Sequence, residues 1–146
     1  MRLGRLRGGE LLALAGVALV TVSLFERWYE GPSGELGAWD TFGPAVALLL
    51  LAALAALALV ASALLERSVA TPVAVAVWCV PLGLIGLIAA LVRVFERPQH
   101  ATTVCIGAWL ALAGTVAILA GAWLTLRDER PSRYKPATPA PRPRPR

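Results

Sequence analysis

Residues Pro44–Leu65 form a run of 22 residues without one charged side chain. As an α-helix this run spans about 33 Å, which is enough to cross a hydrocarbon core of about 30 Å. Apolar runs at about residues 72–93 and 103–126, and a shorter one at about 9–25, bring the total to four. The chain has 146 residues, of which 58% are hydrophobic, more than a soluble domain of this size carries. We therefore predict an all-α fold in which residues 1–130 form a bundle of four transmembrane helices.

The first run resembles the start of a signal peptide, since Arg2, Arg5 and Arg7 precede an apolar segment. No small residues at cleavage-site spacing close it, because bulky and charged residues follow at positions 25–28. The sequence therefore predicts an uncleaved first transmembrane helix.

The basic residues predict the orientation of the bundle. Eleven of the 14 lysine and arginine residues lie in the N-terminal segment, the loop after the second run and the C-terminal segment from Arg127 to Arg146. Cytoplasmic loops carry the excess of basic residues, so we predict that both termini are cytoplasmic. Arginine is far commoner than lysine, and alanine and leucine dominate, which favours a GC-rich bacterial genome. The predicted location is the inner, cytoplasmic membrane, with several passes.

Residues 131–146 alternate proline with basic residues and cannot build a core. We expect an extended, disordered cytoplasmic tail. It could bind anionic lipid headgroups, with each cation contributing about 1 kcal/mol near the surface, or it could serve only as a topology anchor. A nucleic-acid partner is not expected, because the basic residues flank the apolar runs instead of mixing with aromatic residues on a folded face.

The segment Leu24–Pro44 is the longest polar interruption and is predicted to be an outward-facing acidic loop. Its aromatic residues are expected to anchor the loop at the membrane interface, where tryptophan and tyrosine are enriched. The loop is either a contact surface for a partner or an interfacial cap. The candidate interface residues in this loop and in the fourth helix are Trp28, Tyr29, Trp39, Phe42, Trp109 and Trp123.

Small residues recur every seven positions in three of the predicted helices, a spacing that lets helix backbones approach closely in lipid. They are Gly9, Gly16 and Ser23 in the first helix, Ala76, Gly83 and Ala90 in the third, and Gly107, Gly114 and Gly121 in the fourth. We predict that these stripes are helix-packing surfaces.

No pattern in the sequence indicates catalysis, a cofactor or a metal site. Cys79 and Cys105 are predicted to lie about 15 Å apart in depth, too far for a disulfide, whose Cα atoms lie within about 7 Å. His100 has no cysteine or histidine at metal-ligand spacing. The charged residues near the outer interface are predicted to form exposed ion pairs that contribute little each. These residues are Glu26, Arg27, Glu96 and Arg97.

The fourth helix, with Gly107-Ala108-Trp109-Leu110 and the exit from Gly121 to Glu129, resembles small four-helix membrane proteins of actinobacteria. The loop residues Trp28-Tyr29 and residues 38–42 are similar too. That family is uncharacterised, so the resemblance implies a membrane location and four helices but no activity.

We predict a membrane protein without an enzymatic site that acts as a structural or accessory protein. Its expected partners are the lipid bilayer and either another membrane protein or a second copy. The alternative is a small transporter or channel subunit that forms a pore as an oligomer. A line of polar side chains along one helix face would favour transport.

Overall fold

The computed structural model describes residues 8–32, 34–40, 43–65, 70–96 and 101–127. The helices are α1 (Gly8–Ser23), α2 (Pro44–Leu65), α3 (Ala70–Phe95) and α4 (Ile106–Arg127). The strands are β1 (Arg27–Gly31), β2 (Gly34–Gly37) and β3 (Thr103–Val104). The four predicted helices are confirmed. The predicted tail, residues 131–146, lies outside the described residues.

Three helices are long and apolar enough to cross a membrane: α2, α3 from Ala74 onward, and α4. Large apolar side chains cover their outer surfaces, among them Leu54, Trp78 and Ile88, which are more than half exposed. A soluble bundle would turn polar residues outward, so this surface fits lipid. The prediction of a membrane protein is supported to this extent.

The first helix ends two residues earlier than predicted. It ends at Ser23 and has 16 described residues, so its regular part is about 24 Å long. A tighter turn follows, in which the N–H groups of Leu24, Phe25 and Glu26 each donate to the carbonyl three residues earlier. The described part of this helix alone is therefore shorter than a hydrocarbon core of about 30 Å.

Two other helix boundaries differ from prediction. Helix α3 begins at Ala70, two residues earlier than predicted, and runs through Pro81 without interruption to Phe95. Helix α4 begins at Ile106, and the predicted start at residue 103 is wrong because Thr103 pairs in β3 instead.

The helices pack in the cyclic order α1, α4, α3, α2, with the closest association between α1 and α4. Glycines make that contact. A methyl group at Gly9 would lie 2.7 Å from the Gly121 carbonyl oxygen, and one at Gly121 would lie 2.5 Å from the Gly9 oxygen. Gly16 and Gly114 stand in the same relation two turns along. The predicted packing role is confirmed for these four glycines.

Helix α3 uses two further glycines to meet its neighbours. Gly86 lies against α2, where an added methyl would come within 2.8 Å of the Ala52 Cβ. Gly83, a member of the predicted stripe, faces Leu119 of α4 at an ordinary contact distance of 3.5 Å. The bundle interior is filled by small residues and by Val20, Leu49, Leu59 and Ile118, which are completely buried.

The polar segment after α1 folds into a β-hairpin, which the sequence analysis did not predict. Strand β1 lies between β2 and β3, and both neighbours are antiparallel to it. Gly31 pairs with Gly34 at the turn, and Gly34 has a φ of +111°, a conformation open to a residue without a Cβ. The α3–α4 connection supplies β3, so both connections at this end of the bundle share one sheet.

Candidate functional site

Residues 24–32, 34–40 and 101–105 form a cap on the helical bundle. It closes the end of the bundle at which α1 and α3 finish and α2 and α4 begin. The pairing register shifts between Arg27 and Tyr29, which marks a bulge at Trp28. Consecutive residues of a regular strand point to opposite faces. The bulge instead lets Trp28 and Tyr29 both turn toward the bundle, where both are completely buried.

Trp28 joins the cap to the end of α1 and the start of α4. Its indole N–H donates to the Ser23 carbonyl oxygen at 2.6 Å, which satisfies one acceptor at the C-terminal end of α1. Its ring lies over Gly107, where an added methyl would come within 2.5 Å of the Trp28 Cδ1. Gly107, the first glycine of the fourth-helix stripe, therefore makes room for this indole instead of for another helix.

Tyr29 joins the cap to the end of α3. Its hydroxyl donates to the Arg93 carbonyl oxygen at 2.5 Å, across 64 positions of sequence. Burial raises the pKa of the Tyr29 phenol, and the nearby Arg93 guanidinium opposes that rise. The two aromatic rings meet edge to face, with centroids 6.4 Å apart. One strand thus fastens the ends of two helices that are distant in sequence.

The second connection is tied to the same strand. The Thr102 N–H and hydroxyl both donate to the Glu30 carbonyl oxygen, at 2.8 Å and 2.9 Å. The Cys105 N–H donates to the Trp28 carbonyl oxygen at 2.8 Å. Glu30 and Trp28 therefore direct their carbonyl groups toward β3, which fixes where α4 begins.

The predicted aromatic site residues fall into two groups. Trp28 and Tyr29 are packing residues inside the cap, so the prediction that they are surface anchors is wrong. Trp39, Trp109 and Trp123 are each about half exposed, at 52%, 52% and 53%. Phe42 lies outside the described residues. A Gly-Pro-Ser-Gly turn between Trp28-Tyr29 and Glu35-Leu36 is the signal that could have revealed the hairpin.

The charged site residues pair differently from expectation. Arg27 forms a hydrogen-bonded ion pair with Glu35, in which both side chains are more than half exposed. The Glu35 carboxylate raises the pKa of the Arg27 guanidinium. Glu26 and Glu96 are exposed, and Arg97 lies outside the described residues. Such an exposed pair contributes little to the stability of the fold.

Other polar groups are dispersed through the described residues. No three His, Cys, Asp or Glu side chains there come together as a metal site. Cys79 and Cys105 are both free thiols. An open cleft of about 400 Å³ lies beside the cap. It is lined by Val94, Phe95, Thr102, Thr103, Val104 and Trp109.

The buried serine and threonine hydroxyl groups of the described helices donate within their own helices. Ser23 donates to the Val20 carbonyl, Thr115 to that of Ala111 and Thr125 to that of Gly121. These three side chains therefore turn their donors toward helix backbone, and they do not form a polar line through the bundle.

Comparison of the chain with protein-family models, curated proteins and solved structures finds no match. The resemblance to small actinobacterial membrane proteins stays a prediction.

Proposed function

We propose that this chain is a multi-pass protein of a bacterial cytoplasmic membrane that acts as a structural or accessory protein, with no catalytic site. The observation that supports the role is the difference in hydrogen bonding between the interior of the helix bundle and the cap. The buried serine and threonine hydroxyl groups donate within their own helices. The hydrogen bonds and aromatic contacts that join one element to another concentrate in the cap. This distribution favours a protein that offers the cap as a contact surface over one that conducts a solute through its helices.

We further propose that α1 is a fourth span, although its regular part is short. Gly9 lies against Gly121 near the last turn of α4, and Gly16 lies against Gly114. Trp28, just beyond α1, lies against Gly107 in the first turn of α4. Helix α1 and the turn after it therefore accompany α4 along nearly its whole length.

The proposed orientation places the cap outside and both termini in the cytoplasm. It rests on the basic residues of the two termini and on the acidic residues of the segment after α1. Reporter fusions after Glu35, Arg67, Gln99 and Arg146 should read outside, inside, outside and inside. A cytoplasmic signal from the Glu35 fusion would refute the proposed orientation, in which α1 crosses the membrane and the cap lies outside.

The accessory role is tested by affinity purification in a mild detergent. We expect a second membrane or surface protein to be recovered in a fixed ratio with the tagged chain. Recovery of the tagged chain alone, as a homo-oligomer, would contradict the accessory role and favour a transporter or channel subunit. The basic tail would meanwhile contact anionic headgroups of the cytoplasmic leaflet.

A further inference from the structure

The free edge of β2 carries a backbone donor and acceptor that are aimed away from the sheet. Glu30 and Glu35 are directly opposite each other in the β1–β2 pair. The Glu30 carbonyl accepts from Thr102 and so points toward β3. Residues opposite each other in an antiparallel pair either both point inward or both point outward. The N–H and carbonyl of Glu35 therefore point outward, at the edge of the sheet that no described strand covers.

The next part of the same edge is already closed by a side chain. The Gly37 N–H donates to Oδ2 of Asp40 at 2.9 Å. Because the Asp40 carboxylate occupies the edge at Gly37, the part of this edge that stays accessible is the part at Glu35. Such edges are templates for pairing with another chain, and natural proteins usually blunt them.

The charges around this edge indicate which kind of partner would bind there. Glu30 and Glu35 form a like-charged cross-strand pair, an arrangement that destabilises a sheet. Arg27 pairs with Glu35 and also interacts with Glu30, so one guanidinium serves two carboxylates. Asp40 is exposed nearby and adds a third carboxylate. A lysine or arginine from a partner would relieve the remaining negative charge.

We propose that the β2 edge is the docking site for an extended, lysine- or arginine-bearing segment of another protein, which adds to the sheet as a fourth strand beside Glu35. Main-chain hydrogen bonds would supply the register, and the acidic pair would select the cationic side chain. The inference rests on the accessory role proposed above and names the chemistry of its partner.

The chain itself is a poor source for this segment. A second copy paired through the same edge would set Glu35 opposite Glu35, which adds repulsion. Helix α4 begins at the cap and ends at Arg127, at the opposite end of the bundle. The basic tail follows Arg127 in the sequence. The occupant therefore comes from a different protein on the side of the membrane that the cap faces.

The direct test uses the full-length chain in nanodiscs of zwitterionic phosphatidylcholine. The probe is a fluorescein-labelled pentapeptide of threonine, lysine, valine, lysine and threonine, blocked at both ends. We expect it to bind at least about tenfold more tightly than the same peptide with glutamate in place of lysine, and to weaken as NaCl rises. Equal binding of the two peptides, or no binding of the lysine peptide, would overturn the proposal.

Two pairs of variants separate the charge from the backbone. Glu30→Gln should weaken the lysine peptide severalfold and reduce its salt dependence, whereas Glu26→Gln, the same charge change outside the strands, should not. Glu35→Pro removes the outward N–H at a position where an edge strand tolerates proline. It should bind about tenfold more weakly than Glu35→Gln, which keeps that N–H. Identical binding within each pair would exclude strand addition at this edge.

The same variants separate this inference from the accessory role on which it rests. A partner recovered equally by the wild type and by Glu35→Pro would leave the accessory role intact and place its contact elsewhere. A partner lost in Glu35→Pro and kept in Glu26→Gln supports both proposals. Calcium binding that Glu30→Gln abolishes, without peptide binding, would make the acidic pair a cation site and overturn the docking proposal. Disulfide-linked dimers of Glu35→Cys in the membrane would show that a second copy binds at this edge. That result would also overturn the docking proposal.

Discussion

Gly16 and Gly114 exclude each other's side chains across the α1–α4 contact. A methyl group at Gly16 would lie 2.6 Å from the Gly114 carbonyl oxygen, and one at Gly114 would lie 2.8 Å from the Gly16 carbonyl oxygen. The obstacle in each case is backbone, which cannot rotate away as a flexible side chain could. Apolar area alone does not drive helices together in lipid, so this close approach is what associates α1 with α4.

Gly16→Ala should therefore destabilise the bundle. Overpacking costs about 1–3 kcal/mol, while the better helix propensity of alanine returns at most about 1 kcal/mol. Gly83→Ala is the matched control, because its methyl would meet Leu119 at 3.5 Å, an ordinary contact. Thermal unfolding in detergent should show a lower midpoint for Gly16→Ala and an unchanged or higher one for Gly83→Ala. The same midpoint for both would contradict the packing role of Gly16.

Trp28→Phe should loosen the cap. The change removes the indole N–H that donates to the Ser23 carbonyl at 2.6 Å, inside a completely buried environment. The Ser23 carbonyl keeps only its bond from the Glu26 N–H, so the lost hydrogen bond costs about 0.5–1.5 kcal/mol, and the smaller ring adds a cavity. Denaturant unfolding measures the loss. Trp39→Phe serves as the control, since Trp39 is half exposed, and its effect should stay within about 0.5 kcal/mol.

The helices could be predicted from the sequence because each apolar run carries its own signal. The glycine stripes were readable for the same reason, since a spacing of seven keeps residues on one helix face. The three-stranded sheet could not be predicted in this way, because the third strand, β3, lies about 74 positions after its partner β1 in the chain. Trp28 and Tyr29 were misplaced because an amphipathic aromatic side chain suits both a membrane interface and a buried site with one hydrogen-bond acceptor. Only the bulge at Trp28 distinguishes the two.

The tail should lie against anionic lipid. Residues 131–146 carry five basic side chains, and each contributes about 1 kcal/mol near an anionic surface. Energy transfer from a dye at the C-terminus to labelled headgroups should be stronger in anionic vesicles than in zwitterionic ones. About 0.5 M NaCl should remove the difference by screening. Replacing all five basic residues by glutamine should abolish it in low salt, and a difference that persists would point to another contact.

Tyr29 should make the stability of the cap fall at alkaline pH. Burial raises the phenol pKa above its ordinary value of 10.0, so the folded chain holds this proton more tightly than the unfolded chain does. The resulting stabilisation is complete below pH 10 and is lost as the pH rises through the pKa of the folded state. Tyr29→Phe loses the hydrogen bond to the Arg93 carbonyl, so it should be about 0.5–1.5 kcal/mol less stable at neutral pH. Its unfolding midpoint should then decline less steeply than that of the wild type as the pH rises above 10, because phenylalanine has no proton to release. Parallel declines in the two proteins would show that the alkaline loss arises from another group.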